Sequence, residues 1–298
     1  MTVKSVLPAN ESINILQYKK PFSINRLILV VLGIVLSIIF MFPFVWSISS
    51  SLKGPTEIFI IPPRLFPLEP RWYNYERIFT IVPLTKFFQN TMIITAITIV
   101  GILMSSTLVA YGFARFNFRG RNVLFILLVG TLILPPDLTL VPRFILYNQL
   151  KWIDTWLPLT VPEFFAVNAF LVFLLRQFIM SIPLDLDEAA EIDGAGPLRI
   201  LWDVILPLIK PALATVAIFA FLGAWNSFID PMIFLRTTEK FPISVGLRFF
   251  QTGPDMGGEP REPLLLAASL LMSLPPILVY LFAQRYYVQG IVMSGLKR

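Results

Sequence analysis

Six long apolar segments, separated by shorter polar stretches, make up most of this 298-residue chain. A helix needs roughly 20 apolar residues to cross the hydrocarbon core of a bilayer, and each segment reaches that length. The pattern therefore predicts an all-α, polytopic membrane protein with six transmembrane helices. The six predicted spans cover residues 26–48, 91–114, 122–141, 157–180, 206–235 and 263–288.

Three of these segments carry features that qualify the pattern. Pro135 and Pro136 interrupt the third segment, which predicts a local helix break, with a flexible gate as the alternative. The fourth segment contains Glu163 and Asn168, so its boundaries are the least defined. The first segment follows 25 mostly polar residues and is longer than the apolar core of a signal peptide, which predicts a retained anchor.

Composition agrees with a membrane protein and excludes several chemistries. Hydrophobic residues make up 56% of the chain and charged residues 14%, with a mean hydropathy of +0.75. The chain has no Cys and no His, which excludes disulfides, thiolate or imidazole metal sites, and Cys- or His-based catalysis. Its net charge of +6 comes without a basic run or an aromatic RNA-binding pattern, so we expect no nucleic-acid partner.

Charge in one short loop predicts the orientation. Residues 115–121 read RFNFRGR, with three arginines and no acid, and short basic loops lie on the cytoplasmic side. With six spans, both termini are then cytoplasmic. The polar segment between the fourth and fifth spans is predicted to lie in the cytoplasm as well.

That polar segment predicts two short helices joined by a sharp bend. Asp185 is a suitable N-cap for a helix over about 186–193. Gly194 is a suitable left-handed terminator of that helix, and Pro197 suits the first turn of the next one.

One face of the first short helix consists mostly of small side chains. It combines Leu186, Ala189, Ala190 and Asp193, which are spaced at i, i+3, i+4 and i+7. A small face allows a partner groove to approach closely, the helix-in-groove mode of recognition. The alternative is a simple connector between two spans, although connectors in bundles need only about 2–8 residues.

The spacing within this segment resembles a known family motif. Glu188-Ala189-Ala190 is followed after three residues by Gly194 and, after nine more, by Val204-x-Leu206-Pro207. This resembles the EAA motif of permease subunits of ATP-binding-cassette (ABC) importers, with Val204 where Ile is usual. Residues 90–125, 132–155 and 283–298 are also similar to carbohydrate-uptake permeases of the maltose-permease type, and the resemblance covers about residues 85–298.

The resemblance implies a type I ABC importer permease fold. It implies a cytoplasmic N-terminal segment over 1–25, a six-span permease domain over 26–298, a coupling loop over about 181–207 and a cytoplasmic tail over 289–298. By position, it assigns docking to the ATPase to five residues of the loop: Glu188, Ala189, Ala190, Asp193 and Gly194. It also places the outer loop around 248–262 where the family contacts its binding protein.

The resemblance also implies the partners. These are a second, homologous permease subunit, two ATP-binding-cassette ATPase subunits, an extracytoplasmic substrate-binding protein and membrane lipid, in the cytoplasmic (inner) membrane of a bacterium or archaeon. The chain has no G-x-x-x-x-G-K-[ST] stretch, so we expect no ATPase site and no cofactor of its own. ATP and Mg would be bound by the partner ATPase subunits.

Polar residues within the apolar segments are candidates for the substrate pathway, because such groups are costly at membrane depth. They are Asn168, Trp225, Asn226 and Asp230. Sugars stack on aromatic rings and bond to planar polar groups, so a Trp-Asn pair suits them, while helix–helix hydrogen bonding is the alternative. The predicted cargo is a carbohydrate of oligosaccharide size; a glycerol-phosphate or polyol cargo and an ion-coupled carrier are the alternatives.

Overall fold

The computed structural model describes residues 24–251 and 260–295, and within these ranges every regular element is helical. Most of the predicted segment 1–25, residues 252–259 of the predicted outer loop and residues 296–298 of the predicted tail lie outside the described residues. The helices are α1 (Ile24–Ser51), α2 (Tyr73–Ile81), α3 (Leu84–Arg115), α4 (Arg121–Gly130), α5 (Leu140–Gln149), α6 (Leu157–Thr160), α7 (Ala169–Met180), α8 (Asp185–Ile192), α9 (Pro197–Ile200), α10 (Leu206–Leu208), α11 (Lys210–Trp225), α12 (Ile229–Phe234), α13 (Ile243–Gly246) and α14 (Glu262–Gly295).

Membrane spans within the described residues follow the predicted pattern. Four helical stretches are long and apolar enough to cross a bilayer: Leu27–Ser51, Leu84–Arg115, Leu157–Met180 and Glu262–Ala283. Two further pairs of helices are bent, and counting each as one span gives six. The chain divides by internal contacts into Met1–Trp46, which holds the first part of α1, and Ser47–Arg298, which holds the remaining elements.

The bent spans show where the sequence pattern was too simple. Arg121–Ile133 and Asp137–Gln149 meet at 98°, and Pro135-Pro136 lies at the bend, as predicted. The predicted fifth span over 206–235 is wrong in its boundaries. The chain bends by 82° between Leu208 and Lys210, and α11 then ends at Trp225.

Helix α3 is the central element of the second unit, since it packs against α7 and α11 and also contacts α6 and α13. A hydrophobic cluster surrounds each of its ends. The first cluster joins Ile102 and Tyr111 of α3 to α7, α9 and α11. The second joins Leu84 and Phe87 of α3 to α2, α13 and the beginning of α14.

Asp154 joins the loop before α6 to the loop over 236–240, near the N-terminal end of α3. Its carboxylate accepts hydrogen bonds from Arg236 N (3.0 Å), Thr237 N (2.9 Å), Thr237 Oγ1 and Lys240 Nζ (2.9 Å). These hydrogen bonds, those from Thr237 foremost, hold the pKa of Asp154 well below its usual range. Asn90 of α3 donates to the carbonyl of Glu239 (2.7 Å), so the loop around Lys240 is attached to α3.

We predict that Gly101→Ala destabilises the protein, because α3 approaches its neighbour too closely there for a side chain. A Cβ at Gly101 would lie 2.8 Å from the ring of Phe164 and 3.3 Å from the carbonyl carbon of Glu163. Overpacking of this kind costs about 1–3 kcal/mol. Thermal unfolding in detergent should show a lower Tm.

Gly112→Ala is the matched control, since Gly112 lies in the same helix and a Cβ there meets nothing within 4 Å. Alanine is the better helix former by about 1 kcal/mol, so its Tm should be unchanged or higher. An equal loss of Tm in both variants would contradict close packing at Gly101.

Candidate functional site

A cavity of about 920 Å³ opens beside α3. Its walls come from α3, α5, α6 with the following turn (Val161–Phe165), α11 and α12. Much of its polar lining lies at helix breaks, since Asp137 precedes α5, Asn168 caps α7 and Asn226 follows α11. The charged and amide residues that line it are Asp137, Arg143, Glu163, Asn168, Asn226 and Asp230.

An ion pair crosses the cavity wall. Arg143 of α5 donates two hydrogen bonds to Asp230 of α12, from Nη1 to Oδ2 (2.9 Å) and from Nη2 to Oδ1 (3.0 Å). The side chains are 30% and 32% exposed, so both face the opening. Arg143 is the one cation among the described residues that line the cavity, against the carboxyl groups of Asp137, Glu163 and Asp230. The lining therefore carries an excess of acidic groups.

Three of the four predicted pathway residues line this cavity. Asn168 caps α7, where its Oδ1 accepts a hydrogen bond from Leu171 N (3.3 Å). Asn226 follows the end of α11 and donates to the carbonyl of Leu222 (2.9 Å), which leaves its Oδ1 available to a ligand. Asp230 is held by Arg143. The fold therefore places these three side chains around one cavity.

Trp225 lies outside the cavity lining. Its side chain is fully buried, its Nε1 donates to the carbonyl of Met272 (3.1 Å), and its ring packs against Phe88 and Phe221. The predicted stacking of a sugar on this indole is incompatible with that packing, because neither ring face is open. Arg143, which follows the third predicted span and was not among the predicted pathway residues, lies on the cavity wall.

The loop over residues 181–207, called the inner loop because the sequence predicts it on the cytoplasmic side, has the predicted two-helix form. Helix α8 ends at Ile192, the left-handed Gly194 (φ +81°) follows its C-cap Asp193, and Pro197 begins α9. The prediction of Asp185 as the N-cap is wrong, since Asp185 is the first residue of α8 and Leu184 takes the cap position without a side-chain hydrogen bond. Acidic side chains in this first turn interact favourably with the helix dipole instead.

The faces of α8 divide the predicted docking residues. Glu188, Ala189, Asp193 and Gly194 are exposed, whereas Ala190 is partly buried against the first hydrophobic cluster. Ile192 is 86% exposed and was not predicted. The signal in the sequence is an apolar residue placed between Glu191 and Asp193 at the end of a helix of mostly acidic and small residues.

The buried face of α8 contacts the C-terminal end of α3. Asp187 is buried, and its Oδ2 lies 2.8 Å from Nε of Arg115, the last residue of α3. Burial raises the pKa of Asp187, and the neighbouring guanidinium of Arg115 opposes that rise. Tyr111 donates to the carbonyl of Pro197 (3.1 Å), so α3 holds the loop on both sides of its bend.

Known proteins similar to this chain are permeases. The chain is 30% identical over 286 residues to the arabinooligosaccharides transport system permease protein AraQ of Bacillus subtilis, covering 95% of this chain and 99% of that protein. It is 30% identical over 273 residues to the sn-glycerol-3-phosphate transport system permease protein UgpE of Yersinia enterocolitica, covering 90% and 95%.

Solved structures show the same fold. A crystal structure of a bacterial ABC transporter that imports the acidic polysaccharide alginate matches with a TM-score of 0.78 and 27% identity, covering 89% of this chain and 96% of that chain. The sequence over residues 20–293 matches one protein family, described as the binding-protein-dependent transport system inner membrane component. The chain therefore belongs to this family, as a permease of the sugar ABC transporter type.

Proposed function

We propose that this chain is one of two permease subunits of an ATP-driven importer and that its cargo is an uncharged oligosaccharide. The observation that supports an uncharged cargo is the charge of the cavity lining. Arg143 already bonds Asp230 through both terminal nitrogens, and the other charged groups of the described lining are acidic. Amide and carboxylate oxygens accept hydrogen bonds from sugar hydroxyls, which suits a neutral polyhydroxyl cargo.

An anionic cargo fits this lining less well. Recognition of phosphate or carboxylate uses charge-assisted bonds from Arg or Lys, and like charges placed together are unfavourable. The similarity to a glycerol-phosphate permease keeps that cargo, or a polyol, as the alternative. The cavity charges favour the oligosaccharide.

The inner loop supports coupling to the ATPases. Glu188, Ala189, Asp193 and Gly194 are exposed together with Ile192 on and just after a short helix, the kind of element that docks in a partner groove. We assign this surface to an ATPase subunit, which binds ATP and Mg, and place the loop and both termini in the cytoplasm. A homologous permease would complete the pathway, and a binding protein would deliver cargo from outside.

In the proposed cycle, ATP-driven closure of two ATPases moves α8 and the helices attached to it. That movement opens the cavity outward, where the binding protein releases cargo, and hydrolysis resets the inward-open state. The described residues of this chain supply the pathway wall and the docking helix, and the energy comes from the ATPases.

Transport by the assembled importer in vesicles tests this function. Uptake should require ATP and the binding protein, should be blocked by vanadate, and should favour uncharged oligosaccharides over glycerol phosphate. Calorimetry of the binding protein with the same ligands should give the same order. Preferred uptake of glycerol phosphate would contradict the cargo assignment, and uptake driven by an ion gradient alone would contradict the mechanism.

Gly194→Ala should uncouple transport from ATP hydrolysis. A side chain in the left-handed conformation costs about 1–2 kcal/mol, so the bend after α8 would shift. We expect less cargo moved per ATP hydrolysed. Gly196→Ala is the matched control, because Gly196 has an ordinary φ of −76° and a Cβ meets nothing within 4 Å at either site. Equal coupling in the two variants would contradict the docking role of the bend.

Asn226→Ala should lower the transport efficiency of the importer. Loss of one neutral hydrogen bond to cargo costs about 0.5–1.5 kcal/mol, which corresponds to a fall of about 2–12-fold in kcat/KM for uptake. Asn148→Ala is the control, since Asn148 is exposed at the end of α5 and lies outside the cavity lining. Unchanged uptake kinetics in Asn226→Ala would remove this residue from the pathway.

A further inference from the structure

Arg115 carries a buried charge at the junction between α3 and the inner loop. Its side chain is 6% exposed and that of Asp187 is 12% exposed, with Nε of Arg115 2.8 Å from Oδ2 of Asp187. Arg115 also donates from Nη2 to the carbonyl of Ile182, in the turn before α8 (3.1 Å). One guanidinium therefore holds both the beginning of α8 and the segment that leads into it.

A second ion pair in the same loop differs from the pair of Arg115 and Asp187 in its exposure to solvent. Arg199 and Asp203 lie 3.2 Å apart, four residues from each other in one helical segment, and their side chains are 71% and 64% exposed. Exposed pairs of this kind contribute little. The pair of Arg115 and Asp187 joins two separate elements away from water, where removal of one partner leaves an uncompensated charge.

The other half of α3 forms part of the cavity wall. Thr91, Thr98 and Ile102 line the cavity, and α3 continues from them to Arg115 as one helix without an internal proline. Tyr111 adds a second attachment to the loop through the carbonyl of Pro197. A continuous helix thus connects the cavity wall to the element that carries the docking surface.

We propose that Arg115 and Asp187 are positioning residues that fix α8 to the end of α3, so that a movement imposed on α8 reaches the cavity. The proposal rests on the proposed function of α8 as the docking helix. Without the pair, α8 would turn on its flanking residues Ile182 and Gly194 when the ATPases close. ATP would still be hydrolysed, but less of the movement would reach α3.

The test measures cargo taken up per ATP hydrolysed by the assembled importer, together with its Tm. Arg115→Gln and Asp187→Asn should each lower that ratio by about threefold or more, in the range known for residues that transmit coupling. Asp185→Asn, an exposed acid in the same helical turn, and Arg199→Gln, from the exposed pair, should keep the wild-type ratio. Arg115→Lys, which keeps the charge but loses the forked geometry, should give an intermediate ratio.

The double variant Arg115→Gln with Asp187→Asn separates positioning from stability. It leaves no uncompensated buried charge, so its assembly and Tm should recover relative to the single variants, while the ratio of cargo to ATP stays low. Recovery of the ratio together with Tm would overturn the proposal, as would a wild-type ratio in both single variants. A wild-type importer without ATP-dependent uptake would instead contradict the proposed function on which the inference rests.

Discussion

The continuity of α3 is the constraint on which the rest of the structure depends. The two halves of α3 contact the cavity and the inner loop, and the helix runs unbroken from Leu84 to Arg115. Both hydrophobic clusters use it, and Gly101 allows the turn at Phe164 to approach it closely. The cavity wall and α8, the proposed docking helix, are therefore both packed against α3.

Breaks in the surrounding helices produce the cavity. Within a membrane, non-helical backbone is tolerated where it is covered by protein or lines a polar cavity. The interruptions after Pro135, before Asn168 and at Asn226 all adjoin the same space. The polar side chains that end or begin these helices then become the lining, so one feature provides both the helix termini and the candidate contacts to cargo.

Local signals in the sequence predicted much of this arrangement. The length of the apolar segments predicted the spans, apart from the boundaries of the fifth, and the spacing of Gly194 and Pro197 predicted the two-helix form of the inner loop. Polar groups within apolar segments predicted Asn168, Asn226 and Asp230 as pathway residues, and all three line the cavity. Trp225 was misplaced because its burial depends on packing by Phe88, Phe221 and Met272, which no local pattern records. The ion pairs of Arg143 and Arg115 join distant segments, and their partners become evident only once the helices are packed.

The distance between the end of α3 and α8 during the transport cycle tests this account most directly. The chain has no native cysteine, so spin labels can be placed at Arg119→Cys, just after α3, and Glu191→Cys, on the exposed side of α8. Pulsed electron resonance on the assembled importer would compare the ATP-free state with a vanadate-trapped state, with loss of ATP hydrolysis confirming the trapping. The account predicts the same distance distribution in both states, because α3 and α8 move together. A shift of α8 away from α3 in the trapped state would contradict it.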